Sequence, residues 1–184
     1  RGFNNSEYEE RVKKLQLNMH ENDIDLMLIT SPHNFRYFTG LDSYFWESPT
    51  RPWFLLIPKS SNPIAVIPSI GESAIKKTWI KDIFTWPSPQ PKDEGVSALI
   101  EAFNKLIKRK GNIGCELGQE SHLRMSVKDF DKLRKNMTKY SFVDGSKIIW
   151  KLRMIKSKEE IKKMKKIISI ASNVFDNLPN LINI

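Results

Sequence analysis

Apolar side chains recur at helical spacing in several separate segments of the chain. The clearest segment carries one continuous apolar face, made of Val96, Leu99, Ile100, Phe103, Leu106 and Ile107. Asp93 precedes this segment as a candidate N-cap. Ser6 and Glu9 have the spacing of a capping box before a first helix. Ser157 and Glu160 repeat that spacing before a last helix, so these segments predict amphipathic helices with one buried face each.

Short apolar runs bounded by turn residues predict β-strands between the helices. They cover residues 24–29, 53–57, 64–67, 83–86, 113–117 and 140–143, with shorter helices at 32–38, 71–78, 126–133 and 147–152. The runs at 53–57 and 64–67 are separated by a loop that contains two prolines, and they predict a hairpin. The remaining strands alternate with helices. This order favours an α/β domain with a mixed sheet and helices on both faces.

The formal net charge of +9 is concentrated near the end of the chain. Residues 147–166 contain eight Lys and one Arg against two Glu, whereas the rest of the chain is nearly balanced. Most of this segment belongs to the last predicted helix, whose Lys residues lie opposite its apolar stripe. A solvated helix face explains such a charge, so we predict no nucleic-acid partner. A salt titration of binding to random DNA tests this, because phosphate contacts depend steeply on salt.

The sequence favours a cytoplasmic protein with no membrane partner. No apolar run approaches the roughly 20 residues that a membrane-spanning helix needs. The first ten residues are polar and acidic and lack the apolar core of a signal peptide. Cys115 is the single cysteine of the chain, so it forms no internal disulfide and does not require an oxidising compartment.

Residue patterns that carry hydrolytic or metal chemistry are missing from the sequence. The three histidines, His20, His33 and His122, do not pair with one another or with Cys115 at ligand spacing. The paired carboxylates at 93–94 and 159–160 stand at predicted helix starts, where the helix dipole accounts for them. No nucleophile elbow or phosphate-binding glycine loop is present. We therefore predict no catalytic residue, no metal site and no cofactor in this chain.

An aromatic loop, residues 44–53, is the segment most suited to recognition. Its candidate substrate-contact residues are Phe45, Trp46, Arg51 and Trp53. Aromatic side chains provide rigid contact area, and an arginine binds a carboxylate through two parallel hydrogen bonds. The alternative is that the aromatic side chains fold back onto the core, and the sequence favours neither reading.

Two motifs resemble the N-terminal domain of the creatinase/prolidase/aminopeptidase P family. The segment Ser31–Gly40 resembles an N-x-x-Y-x-T-G element, whose structural residues are Asn34, Tyr37, Thr39 and Gly40. The segment 143–161 is similar to the linker that leads into the family's catalytic domain, and it includes Arg153 and Lys156. The start of the chain, with Gly2, Tyr8 and Arg11, is similar as well.

The resemblance implies a ribonuclease H-like α/β fold for residues 1–152. Residues 153–184 are then the linker and the first helix of a truncated pita-bread catalytic domain. That domain commonly carries two Asp, one His and two Glu, which hold two Mn, Co or Zn ions in the parent enzyme. Such ions activate a water molecule for attack on the peptide bond before a proline. The matching ligand segments are absent here, so this chain alone is expected to be inactive.

The resemblance also implies partners for this domain. They are its own catalytic domain and a second subunit of a homodimer, and a loop of the N-terminal domain reaches the neighbouring active site. By position, the aromatic loop takes that role, with Arg51 binding a substrate carboxylate and Trp46 forming a wall. Two alternatives remain open: the N-terminal domain of a creatinase-like amidinohydrolase, or a free-standing interaction domain with the same fold.

Overall fold

The structure, a computed structural model, describes residues 2–48, 51–106 and 109–181. Its strands are β1 Leu26–Ile29, β2 Phe54–Pro58, β3 Ile64–Pro68, β4 Asp82–Trp86, β5 Gly111–Cys115 and β6 Tyr140–Asp144. Its α-helices are α1 Asn5–Glu21, α2 Pro32–Thr39, α3 Glu72–Ile75, α4 Val96–Leu106, α5 Val127–Asn136, α6 Ser146–Met154 and α7 Lys158–Leu181. The chain divides into two compact units, residues 1–152 and 153–184.

The strands within the described residues form one mixed sheet in the order β4-β3-β2-β1-β5-β6. β2 pairs antiparallel with both β1 and β3, which confirms the predicted hairpin. β1, β5 and β6 are parallel, and β3 is parallel to β4. The carboxyl ends of β1, β5 and β6 therefore meet at one edge of the sheet, which we call the carboxyl-end edge.

Both faces of the sheet are covered by helices, because every central strand is apolar at successive positions. Leu26 and Leu28 of β1 lie in a cluster with residues of α4 and α5. Met27 and Ile29 lie in a second cluster with residues of α1, α2 and α6. Side chains of a strand alternate between faces, so one apolar run supplies both layers. This confirms the predicted α/β fold with helices on both faces.

Two of the predicted helix starts are confirmed. The backbone amide of Ser97 donates to Asp93 Oδ1 at 3.1 Å at the start of α4. The amide of Glu160 donates to Ser157 Oγ at 3.1 Å, and the amide of Ser157 donates back to Glu160 Oε2 at 2.8 Å. The pair at the start of α7 is thus a complete capping box. Ile107, the last apolar position expected on α4, lies outside the described residues.

The predicted capping box at the first helix is wrong. α1 begins at Asn5, with Asn4 as its N-cap, so Ser6 lies inside the first turn. The amide of Glu7 bonds to the backbone carbonyl of Asn4 at 3.0 Å, and Ser6 and Glu9 do not form the reciprocal bonds of a box. Asn and Ser are comparable N-cap residues, and here Asn4 occupies the N-cap position, without a side-chain capping bond.

In the second unit, α7 exposes its apolar stripe. Ile161, Met164 and Phe175 are 43%, 47% and 72% exposed. The assignment of this unit to a catalytic domain stays a prediction. Among the helices that the structure describes, none is long and apolar enough to cross a membrane.

Candidate functional site

Glu116 is the main polar residue of the carboxyl-end edge. It follows β5 directly and is 2% exposed. Its Oε2 atom accepts from the Thr30 amide at 2.7 Å, the Thr30 hydroxyl at 3.0 Å and the Ser31 amide at 2.8 Å. Its Oε1 atom accepts from the Asn34 amide group at 2.5 Å and from the Ser31 hydroxyl. The carboxyl group therefore ties the segment between β1 and α2 to the end of β5.

The neighbourhood of Glu116 does not suit a metal ion. A cation needs several oxygen or nitrogen lone pairs directed at one point. Around Glu116 the neighbouring groups are instead N–H and O–H donors directed at the carboxyl oxygens. Among the described residues, moreover, no group of three or more His, Cys, Asp or Glu is placed to hold a metal.

Ser31, His33 and Glu116 have the residue types of a hydrolase triad but not its connections. The Ser31 hydroxyl donates to Glu116. His33 Nε2 lies 3.3 Å from the hydroxyl oxygen of Ser31. In a triad the serine proton goes to the histidine, and the acid orients the histidine ring. Ser31 is also only 1% exposed, so a substrate carbonyl does not reach it. The arrangement of the three residues is therefore not that of a catalytic triad.

Sequence reasoning missed Glu116, although it left a signal. An acidic residue directly after a buried strand has to find donors, because a buried carboxyl group without them is strongly unfavourable. The polar run Thr30–Ser31 after β1 stands at the corresponding place of the neighbouring parallel strand. The parallel pairing of β1 with β5 brings Glu116 to Thr30 and Ser31, and this pairing is decided by the tertiary structure.

The pKa values of two further groups at this edge differ from their ordinary values. Burial alone would raise the pKa of Asp144, but hydrogen bonds from Ser146 and from the amides of Leu117 and Gly118 outweigh it and lower that pKa. Burial, reinforced by the nearby carboxylates, raises the pKa of the Cys115 thiol. Cys115 is fully buried, so it behaves as a core residue, as its strand position predicts.

The family-motif residue Gly40 allows the chain to turn against α1. Its φ is +79°, and a Cβ there would lie 2.6 Å from the Tyr8 ring. Thr39, the last residue of α2, donates its hydroxyl to the Phe35 carbonyl at 2.8 Å. Tyr37 stacks against the Arg11 guanidinium, 4.2 Å from the ring centroid. These contacts hold α2 to the start of the chain.

Arg11 is the buried cation of this junction. It is 5% exposed, donates to the Tyr37 carbonyl at 2.8 Å and pairs with Glu7 at 3.1 Å. Its guanidinium also lies 4.5 Å from the centre of the Phe3 ring. The residues at the start of the chain that resemble the family motif thus pack together around Arg11.

Lys156 and Arg153 lie just after Leu152, at the end of α6. The Lys156 ammonium donates to the Met154 carbonyl at 3.2 Å and to the Arg153 carbonyl. The last carbonyls of a helix lack partners within it, and a lysine ammonium satisfies them favourably. Lys156 therefore closes α6.

The aromatic loop begins with a short 3-10 helix at 44–47, and the Trp46 side chain packs inward. Its ring lies 5.8 Å from that of Phe35 and 5.9 Å from that of Trp53, both edge to face. Trp53 is 1% exposed, so it forms the floor of this cluster, whereas Phe45 is 40% exposed. The structure thus folds Trp46 and Trp53 back and leaves Phe45 outward. Their substrate contacts stay predictions.

Arg51 has a strained backbone and a buried donor. Its φ is +61°, and its amide donates to Glu94 Oε2 at 3.1 Å. Its Nε atom is buried and has no hydrogen-bond partner among the described residues. Residues 49–50, which belong to the same predicted loop, lie outside the described residues, as does the side chain of Glu47.

Arg124, which the sequence did not single out, reaches the aromatic loop from the segment after β5. Its Nη2 atom donates to the Trp46 carbonyl at 2.6 Å and to the Ser48 carbonyl. Burial lowers its pKa. No local pattern around position 124 indicates this contact, because its partners are more than 70 residues away.

The family model for the creatinase/prolidase N-terminal domain matches residues 11–155. The chain belongs to this family. Among curated relatives, it is 27% identical over 169 residues to an uncharacterized hydrolase/peptidase from Sinorhizobium fredii, and the match covers 89% of this chain and 42% of that protein. It is 29% identical over 155 residues to a Xaa-Pro dipeptidase from Lactobacillus helveticus, covering 83% of this chain and 39% of that protein.

A solved structure shares the fold of this creatinase/prolidase N-terminal domain. The recombinant prolidase from Thermococcus sibiricus superposes with a TM-score of 0.75 at 24% identity, over 94% of this chain and 44% of the prolidase. The chain therefore spans less than half of the length of each of these three proteins. The residues matched by the family model include the whole Ser31–Gly40 motif, Glu116 and Arg124.

Proposed function

We propose that this chain is the non-catalytic N-terminal domain of a metal-dependent hydrolase that cleaves Xaa-Pro peptides, either a dipeptidase or an aminopeptidase. The observation that carries the proposal is the family match over residues 11–155. The similarity to a Xaa-Pro dipeptidase supports the substrate class, and the chain covers 39% of that protein. The lone, buried Cys115 suits a reducing compartment, so the proposal includes a cytoplasmic location.

The domain's contribution is substrate access, through the aromatic loop, and dimerisation. Phe45 offers an outward ring, and Arg51 offers a cation that can bind a substrate carboxylate through two parallel bonds. The edge-to-face packing of Phe35, Trp46 and Trp53 supports this role, because it holds the rings of Trp46 and Trp53 in place without a bound ligand. Side chains that are already held in place lose little conformational entropy when they contact a partner or a peptide.

The metal chemistry of the proposed enzyme belongs to its catalytic part. Two Mn, Co or Zn ions there would activate a water molecule for attack on the peptide bond. The residues of this chain do not fit such ions, since the buried Glu116 is surrounded by hydrogen-bond donors.

Sequencing the source gene past the codon for Ile184 tests the proposal. We expect an open frame of about one further domain. It should contain two Asp, one His and two Glu, in that order. The same frame without those ligands would favour the creatinase-like alternative. A stop codon at that point would contradict the proposal and favour a free-standing interaction domain.

The role of Arg51 is tested in the full-length enzyme. Arg51→Ala should raise KM for a Xaa-Pro dipeptide by about tenfold or more, because a hydrogen-bonded carboxylate contact contributes about 1.5–3 kcal/mol. Arg36→Ala is the matched control, since Arg36 is exposed and pairs with Asp42 at 3.2 Å outside the loop. An Arg51→Ala enzyme with unchanged KM and kcat would show that Arg51 does not contact the substrate.

A further inference from the structure

The Arg124 side chain contacts the aromatic loop through its backbone. One nitrogen, Nη2, donates to the carbonyls of both Trp46 and Ser48. A guanidinium is planar and presents its donors in fixed directions, so two carbonyls bound to one nitrogen are held at a defined separation. The contact does not depend on which side chains the loop carries.

The backbone of Arg124 is itself anchored to the sheet. Its amide donates to Thr30 Oγ1 at 3.1 Å, and the Thr30 hydroxyl donates to Glu116 Oε2 at 3.0 Å. Thr30 follows β1 and is 2% exposed, and Glu116 follows β5 and is 2% exposed. A continuous series of hydrogen bonds therefore runs from the ends of two parallel strands to the backbone of the loop.

The hydrogen bonds that Arg124 makes do not by themselves explain why a cation is partly buried at this position. Its Nη1 atom is buried and has no hydrogen-bond partner among the described residues. Its two partners are neutral carbonyls, although a partly buried cation is stabilised far better by a carboxylate. A buried donor without a partner calls for an explanation, and a residue that is held in place by its bonds to the loop backbone supplies one.

We propose that Arg124 is a positioning residue for the aromatic loop. It holds the backbone at 46–48 so that Trp46 stays packed against Phe35 and Trp53 while Phe45 faces outward. The link from this conformation to substrate binding rests on the proposed function. Arg124 acts through the loop backbone and not by contact with a substrate.

We call the two hydrogen bonds from Arg124 to the loop backbone the clamp. Amide hydrogen exchange in the 184-residue chain tests the clamp directly. Arg124→Met removes both bonds to the loop at similar side-chain length, and it should speed exchange at the Trp46 and Ser48 amides by about tenfold. The near-UV circular dichroism of the aromatic cluster should weaken in parallel. Arg134→Met is the matched control, because Arg134 is exposed and contacts Phe130, not the loop. If these loop amides exchanged at the wild-type rate in Arg124→Met, the proposal would be overturned.

A second variant covers the case in which Arg124→Met does not fold. Arg124→Lys keeps the charge but not the planar fork, so its loop amides should exchange about threefold faster than those of the wild type. This partial rescue distinguishes the clamp from a general effect of lost charge. Wild-type exchange in Arg124→Lys would overturn the proposal in that case.

The same variants in the full-length enzyme separate the clamp from the proposed function. Arg124→Met should raise KM for a Xaa-Pro dipeptide by about tenfold and leave kcat within about twofold, because the loop binds but does not react. Faster loop exchange with an unchanged KM would support the clamp and contradict the substrate role of the loop. Unchanged exchange would contradict the clamp whatever the kinetics.

Discussion

At the scale of single residues, Glu116 organises the carboxyl-end edge. It accepts five hydrogen bonds from Thr30, Ser31 and Asn34, each of which is at most 5% exposed. Water cannot replace these bonds, so one carboxyl group satisfies two buried residues before α2 and one in its first turn. The N-x-x-Y-x-T-G motif thus depends on a residue that lies more than 80 positions later.

Glu116→Gln should destabilise the chain strongly. The substitution keeps the shape but turns one acceptor oxygen into an NH₂ group, which faces donors and leaves them without a partner. We expect the free energy of unfolding to fall by about 2–3 kcal/mol, measured by urea denaturation.

Glu120→Gln is the control for this substitution, because Glu120 is an exposed residue of the same segment. It should change the unfolding free energy by less than about 0.5 kcal/mol. Equal urea midpoints for the two variants would show that the Glu116 bonds do not stabilise the fold.

At the scale of elements, Asp93 joins two helices of one layer. It accepts from the Ser97 amide at the start of α4, and the Lys132 ammonium of α5 lies 3.0 Å from its Oδ1. Burial alone would raise its pKa, but the hydrogen bonds from Lys132 and Ser97 outweigh burial and lower that pKa below the ordinary 3.8. The carboxylate therefore caps one helix and pairs with the next.

This lowered pKa makes the contribution of Asp93 depend on pH. Because the folded pKa is below the unfolded one, its stabilisation is complete well above pH 3.8 and is lost as the pH falls through the folded pKa. Asp93→Asn keeps a capping side chain but loses the ion pair. It should lower the unfolding free energy by about 0.5–1 kcal/mol at pH 7 and by almost nothing once the pH is well below the folded pKa.

Urea denaturation at several pH values measures this difference. Asp131→Asn is the control, since Asp131 and its partner Arg134 are exposed and 4.0 Å apart. An Asp93→Asn penalty that does not shrink on acidification would mean that the ion pair contributes nothing.

At the scale of the whole molecule, the mixed sheet is a scaffold that brings loops together at one edge. The parallel strands β1, β5 and β6 end side by side. Thr30 and Glu116 directly follow β1 and β5, and Asp144 is the last residue of β6. In open α/β sheets this edge is where ligands commonly bind. Here the groups at the edge are occupied with one another, and the aromatic loop lies next to them through Arg124.

We therefore expect the purified 184-residue chain to hydrolyse no Xaa-Pro dipeptide, with or without Mn²⁺. The reason is that the buried Glu116 carboxyl group is surrounded by hydrogen-bond donors, and the buried Ser31 hydroxyl is itself bound to that group. Release of free proline measures the activity, with the full-length enzyme as the positive control. Metal-dependent cleavage by the pure chain would contradict this expectation.

Much of the fold was predictable because it depends on local patterns. Continuous apolar runs predicted the central strands, and their alternating side chains made helices on both faces necessary. Asp93 and Ser157 were recognisable as caps, since a cap and its amide lie within four residues. The first helix start was mistaken because Asn4 and Ser6 are equally suited to capping and lie two residues apart.

The candidate site was decided by tertiary structure. The sequence by itself determined the layers, the family motifs and the lack of a local catalytic pattern, all of which rest on neighbouring residues. Only strand pairing brought Glu116 to Ser31 and Arg124 to Trp46, across separations of 85 and 78 residues. Hydrogen bonds of this kind leave no periodic signal, because the sheet, and not the chain, makes their partners neighbours.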